Sequence, residues 1–400
     1  MASAGVPGLA AARLLPGGEV RLVGLGELRS GRTEPVTPLT LFQAPILSDP
    51  LLACATLSLA DRGSLALDKP IGDATPLAVL SRYRAPLEPR RFILQPCTGT
   101  DALGMLVAEV TGTPLRKALG LEVLRPLGMD ATGVDELHPE GGLAIGHDLI
   151  GDPVEDPAPA PGLTTTVSDL SHLLRELVEP RRLGQELVTR MLTPRTPLTD
   201  RLAWGLGLGL EQDGDDRWGF WLAGQGGGFS CLMAGSPARG RGAVVLTNSD
   251  TGLAVAAEVL TELMGGDHPF LDWLPAERWD ETPFLIRRRL VRVAVREGAK
   301  GVGHVLTDLE LSYGSLELSE ALLNRVGYDL LSRGLAAEAV VVLRRNAELY
   351  PASWNVHDSL GEALAAAGEW AGAAASYRRS LELNPDNDNA RRQLEALNSP

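Results

Sequence analysis

The C-terminal part of the chain repeats itself at one fixed interval. Gly327 recurs as Gly361, Gly334 as Gly368, Ala339 as Ala373 and Pro351 as Pro385, each 34 positions on. A period of this size confines the segment to a stacked array. Each repeat is one supersecondary unit that cannot bury its apolar face alone, so its neighbours must cover it. The first unit supplies Leu323, Val326, Leu330 and Leu343, and the second His357, Leu360, Leu364 and Tyr377, at helical intervals. Residues 389–397 read as a solvating cap helix. Two stacked repeats rarely stand alone, so they are expected to lean on the segment before them, where 286–318 is a candidate degenerate third repeat.

The spacing and residue types are similar to the tetratricopeptide repeat, whose helix pairs need small residues where they cross and a proline to end the second helix. Gly327, Ala339 and Pro351, then Gly361, Ala373 and Pro385, stand at those places. The resemblance implies an all-α domain that binds a protein partner. His357 falls at a position filled by packing and reads as structural.

Ahead of the repeats, residues 266–285 (GDHPFLDWLPAERWDETPFL in sequence) are rich in Pro, Trp and acids and mark a boundary. The expected organisation is 1–266 as a first domain, 267–318 as linker and helices, and 319–400 as two repeats with their cap. The first domain begins with apolar stretches on either side of Pro16-Gly17-Gly18, a hairpin signal. Helices are expected over 49–62, 101–110 and 168–177, the last opened by Ser168 and Asp169. Strands are expected over 203–212 and 217–223, around the turn Asp213-Gly214-Asp215-Asp216. Two more follow in GGFSCLMAG and GAVVLTNSD. Strands, then helices, then strands imply an α+β or α/β domain. With 44% hydrophobic residues among 400, the chain can bury a full-sized core.

Several segments, in one order, are similar to the serine β-lactamase-related family, which includes class C β-lactamases, DD-peptidases and related esterases. They are GVPGLAAA, TPLTLF, DRGSLALDKP, EVTGTPLRKAL with LRPLGMDATG, PGLTTTVSDLSHLLREL, WGLGLGL and GGGFSCLMAGSPARGRGAVVLTNSD, across residues 5–265. The resemblance implies an α+β, β-lactamase/transpeptidase-like domain, with an antiparallel sheet flanked by helices plus a helical subdomain. It also implies acyl transfer through a serine on a helix N-terminus. The family carries a Ser-x-x-Lys on that helix, a Tyr-x-Asn loop and a His-x-Gly or Lys-Thr-Gly strand beside the oxyanion hole.

None of the three survives intact. In the family frame, Ile46 stands at the nucleophile and Asp49 at the lysine. Ser48 is two residues on, about 200° around a helix. The chain has three lysines, Lys69, Lys117 and Lys300, and three residues before them stand Ala66, Pro114 and Glu297. No Ser-x-x-Lys therefore exists anywhere in it. The Tyr-x-Asn places hold Gln95, Pro96 and Cys97, and the His-x-Gly places hold Leu222, Ala223 and Gly224, of which only the glycine is kept. The expectation is a catalytically silent member whose cleft takes a small ligand or none. The alternative is an amide or ester hydrolase or acyltransferase that uses Asp49 or the Cys97 thiol.

Other candidates read better as structure. Ser168, Asp169 and His172 suggest a triad but fit a helix cap and a surface histidine. His147-Asp148 has no second His or Cys at ligand spacing, so no metal or cofactor is expected. The glycines of 224–228 lack a following Gly-Lys-Ser/Thr, and Trp204, Trp218 and Trp221 fall on a hairpin as core or cleft lining. Cys54 and Cys231 read as core. A formal charge of −14, from 37 basic and 51 acidic residues, argues against nucleic acid and anionic lipid as partners. No apolar run long enough to span a membrane and no secretory signal are present, so a cytoplasmic protein is expected.

Overall fold

The computed structural model describes residues 1, 4–44, 48–81, 100–134, 142–154, 163–214, 217–274, 280–313 and 317–398. Two compact units divide the chain, Met1–Ala276 and Glu277–Pro400.

Unit one is built on an antiparallel sheet of eight strands among the described residues, in the order β2-β1-β11-β10-β9-β8-β7-β6. The strands are β1 (Gly8–Leu14), β2 (Val20–Gly26), β6 (Thr196–Pro197), β7 (Leu202–Trp204), β8 (Gly209–Gln212), β9 (Trp218–Gly226), β10 (Phe229–Ser236) and β11 (Arg241–Thr247). A second sheet pairs β3 (Phe42–Ala44) and β4 (Gly133–Val134) with β5 (Leu163–Thr165) between them. The hairpin at Pro16-Gly17-Gly18 forms as its sequence predicts, and β1 then pairs with β11 from Leu9↔Thr247 to Leu14↔Gly242. The first strand of the unit is thus closed by one of its last.

Every residue of β10 is buried, which requires cover on both faces of the sheet. The two covering helices can be placed by the pleat. Gly242 leaves room for the Val167–Val178 helix, since a Cβ there would lie 2.6 Å from Leu174. The Gly252–Met264 helix begins against the opposite face, where a Cβ on Gly252 would meet Thr247 and Ser230. Gly242 and Thr247 lie an odd number of residues apart on one strand, so they face opposite ways.

Two local expectations are corrected. Residues 203–212 are not one strand but β7 and β8, joined by a turn in which Gly207 takes φ +74°, a conformation closed to most side chains. The helix expected to open at Ser168 opens earlier, because Thr166 is the cap and its hydroxyl accepts the Asp169 N–H at 3.0 Å.

Unit two is all-helical among the described residues. The Thr282–Tyr313 helix breaks at Gly298, where φ is +71°, into two segments. It is followed by Glu320–Ser332, Ala336–Leu349, Trp354–Ala366, Trp370–Leu383 and Asp388–Asn398. Corresponding helices start 34 residues apart, at Glu320 and Trp354, then at Ala336 and Trp370. The packing repeats with them. A Cβ on Gly327 would lie 2.5 Å from Leu343, and one on Gly361 would lie 2.8 Å from Tyr377, so the helices of each pair cross at the glycine. Ala339 and Ala373 are both fully buried. The Thr282–Tyr313 helix covers the first pair through buried Leu290, Val302 and Leu309 and two Arg forks. Arg287 grips Asp329 at 2.6 and 2.9 Å, and Arg345 grips Glu310.

Candidate functional site

The Ser48–Asp61 helix reaches the sheet through β3. Phe42 packs edge-on against Phe229 of β10 with ring centroids 6.5 Å apart, which brings β3 beside the β9–β10 end of the sheet. The turn between β7 and β8 closes on the first turn of the helix. A Cβ at Gly207 would meet the Asp49 carbonyl at 2.9 Å and the Ala53 Cβ at 3.0 Å. Asp49 lies in that first turn, where a carboxylate suits the helix dipole, and is 4% exposed. Ile46, Gln95 and Cys97 lie outside the described residues.

On β9, Leu222 pairs with Met233 and Gly224 with Cys231. Leu222 is 1% exposed and Ala223 likewise, so this stretch offers the sheet's core an apolar surface with no titratable group. Cys231 and Cys54 are both inert by environment. Burial pushes each thiol up to about 12, and the Cys54 Sγ rests 3.6 Å from the Met191 Sδ. Trp204 and Trp221 are core residues rather than ligand platforms. Trp221 stacks on Phe270 at 5.1 Å and meets Trp204 edge-on at 5.9 Å.

The histidines divide in the same way. His147 is fully buried. Its Nδ1 lies 3.0 Å from the Asn248 carbonyl and its Nε2 accepts the Ser30 N–H at 3.1 Å. Burial holds its pKa below the usual imidazole value. Ser168, Asp169 and His172 diverge instead of forming a relay. Asp169 takes the Ala131 N–H and the Thr132 hydroxyl, at 2.9 and 2.7 Å, while the His172 Nδ1 bonds the Gly128 carbonyl at 2.9 Å. Burial raises the Asp169 carboxyl against those hydrogen bonds. Among the described residues no group of three His, Cys, Asp or Glu is placed to hold a metal ion.

Two features escaped the sequence. Glu211 on β8 and His268 form a buried pair, 2.8 Å from Oε1 to Nδ1. Arg175, Arg181 and Arg182 meet His172 around a cleft of about 220 Å³. The only local sign of the first is a Glu at a buried position of β8. The second shows only as Arg-Arg after a helix.

The architecture is that of a β-lactamase/transpeptidase-like domain followed by an all-helical region. Residues 97–263 match the family model described as Beta-lactamase. Among solved structures, the chain is similar to an octameric penicillin-binding protein homologue from Pyrococcus abyssi. The identity is 20%, with 73% of this chain and 79% of that one covered at a TM-score of 0.55. It is similar to SurE at 23% identity, over 66% and 72% of the two chains, with a TM-score of 0.54. A class C β-lactamase from Rhodobacter sphaeroides matches at 20% identity, over 61% and 90%, with a TM-score of 0.52. These likenesses carry the fold. A search of curated proteins found no match. Among the described residues no helix is long and apolar enough to cross a membrane.

Proposed function

We propose that unit one is a serine hydrolase-like domain that does not perform the acyl transfer of its relatives and serves as a ligand-binding or scaffold module. The repeats, read as tetratricopeptide units, dock a cytoplasmic protein partner. One observation carries the reading: a chain with three lysines has no Ser-x-x-Lys in any register. The acylation that the family resemblance implies uses a hydroxyl nucleophile with an amine one helical turn away to take its proton, and losing either group costs orders of magnitude in rate. Leu222 supports it, since a buried aliphatic side chain stands where the family places a proton-bearing group beside the oxyanion. The alternative reading through Asp49 draws little support, because that residue is buried and its backbone carbonyl abuts the β7–β8 turn.

The test is chemical. Neither a fluorophosphonate nor a fluorescent penicillin is expected to label the full chain, and a chromogenic cephalosporin is expected to stay intact. Covalent labelling that maps within residues 42–50 overturns the silent reading. Thiol-directed labelling of Cys97 that abolishes a measurable esterase activity establishes the alternative instead.

A further inference from the structure

We propose that the cleft between Gly128 and the C-terminal end of the Val167–Val178 helix binds a phosphate group, free or carried by a small molecule. It is lined by Leu127, Gly128, His172, Arg175, Glu176, Arg181 and Arg182 and holds about 220 Å³. Three guanidinium groups face one carboxylate there, in a chain whose formal charge is −14. That one carboxylate is already engaged. The Glu176 Oε2 accepts the backbone N–H groups of Arg181, Arg182 and Leu183 at 3.0, 2.8 and 3.2 Å. Glu176 therefore holds the arginine-bearing loop in place and neutralises none of its side chains by direct contact.

The guanidinium groups are left with donors to spare. Arg181 reaches Glu179 at 3.5 Å. Among the described residues Arg175 and Arg182 have no carboxylate partner. Each makes a single bond to a backbone carbonyl, Arg175 to Gly18 at 2.7 Å and Arg182 to Pro126 at 2.6 Å. The Arg175 Nε is buried with no acceptor, a state that costs free energy until an acceptor arrives. His172 donates its Nδ1–H to the Gly128 carbonyl, and in the neutral ring Nε2 is then an acceptor, suited to a protonated phosphate oxygen. His172 and Arg182 come together at Gly128: a point one Cβ out from that glycine lies 3.6 Å from the His172 Nδ1 and 3.7 Å from the Arg182 Nη1. Arginine forks match tetrahedral oxyanions with paired donors, and a dianion is what two uncompensated guanidiniums neutralise. Capping the Gly18 and Pro126 carbonyls accounts for one N–H each of Arg175 and Arg182 and leaves the rest.

The experiment uses the full chain with inorganic phosphate as probe, read by phosphorus NMR line broadening and by calorimetry at constant ionic strength. Glycerol 3-phosphate and acetate form parallel arms. Saturable binding of phosphate or the monoester is expected, with the tighter of the two identifying the free or carried form, and with acetate much weaker. Arg182→Gln, a change in a solvent-exposed loop side chain, is expected to weaken binding about tenfold or more. Arg175→Lys, which keeps charge but loses the fork, is expected to weaken it as well. No saturable broadening by phosphate or the monoester overturns the proposal. So does acetate binding as tightly as phosphate, or an unchanged affinity in a folded Arg182→Gln variant.

Discussion

The Nε2 of His147 accepts a hydrogen bond from the backbone N–H of Ser30, across 117 residues of chain, while its Nδ1 faces the Asn248 carbonyl. Only the neutral ring, protonated on Nδ1, satisfies both contacts. A second proton would set N–H against N–H in a site with no solvent.

This arrangement predicts an acid limb of stability. The folded-state pKa of His147 lies below its ordinary 6.5, so the unfolded chain binds more protons in that window. Stability from this group is complete above about 6.5 and declines as pH falls through it. Denaturant unfolding of the wild type should therefore lose ground to His147→Gln between neutral pH and pH 5. The variant itself is expected to cost about 1–3 kcal/mol at neutral pH, because a buried partner is left poorly matched. A wild-type/variant difference that does not change with pH contradicts the tautomer.

Glu211 and His268 should show the opposite sign. Burial raises the Glu211 carboxyl above its ordinary 4.5, opposed by the hydrogen bond from His268. A carboxyl whose folded pKa is raised favours the folded state at low pH and loses that contribution as pH climbs past the unfolded value. Its Oε2 and the His268 Nε2 are both buried without partners, which adds to the cost of the charged form. Relative to Glu211→Gln, the wild type should weaken as pH rises from about 4.5, followed by tryptophan fluorescence in denaturant. A difference that grows the other way would mean the pair is a stabilising ion pair.

Packing around Trp221 sets a third expectation. A Cβ at Gly209 would lie 2.2 Å from the indole, and that ring is pinned by Phe270 on its other side. Gly209→Ala should cost about 1–3 kcal/mol through overpacking, and Trp221→Ala about 3–5 kcal/mol through the cavity it leaves. Thermal unfolding measures both.

Two glycines in unit two should respond in opposite directions to the same substitution. Gly361→Ala gains up to about 1 kcal/mol in helix propensity but drives a Cβ to 2.8 Å from the Tyr377 ring, so it should destabilise. Gly303→Ala meets nothing within 4 Å and should stabilise by up to about 1 kcal/mol. Far-UV circular dichroism melts of the two variants separate packing from propensity.

Restoring the hydrolase machinery piecemeal should fail. Ile46→Ser combined with Asp49→Lys recreates a Ser-x-x-Lys, yet Gln95, Cys97 and Leu222 remain at the places where the family resemblance puts relay and oxyanion partners. Penicillin labelling of the double variant should stay at background. Robust acylation would show that the rest of the pocket is still competent.

Much of this molecule was legible as a string because its signals are local and periodic. The hairpin at Pro16-Gly17-Gly18, the strand in GGFSCLMAG and the return of Gly327 as Gly361 all follow from turn chemistry and spacing. The strand expected over 203–212 failed for a nonlocal reason: Gly205 and Gly207 turn so that the chain can close on Met191 and Asp49. The cap at 168 failed by two residues because Thr166, equally suited by type, has the extended backbone that a cap needs.

What the sequence alone determined is therefore the order of elements, the 34-residue period and the missing Ser-x-x-Lys, each a matter of residue type and spacing. The tertiary structure decided which groups share an environment. Glu211 meets His268 across 57 positions, and Arg182 approaches His172 beside Gly128. Neither pairing leaves a periodic trace, because desolvation and charge convergence act through space and depend on what the sheet and its helices bury together.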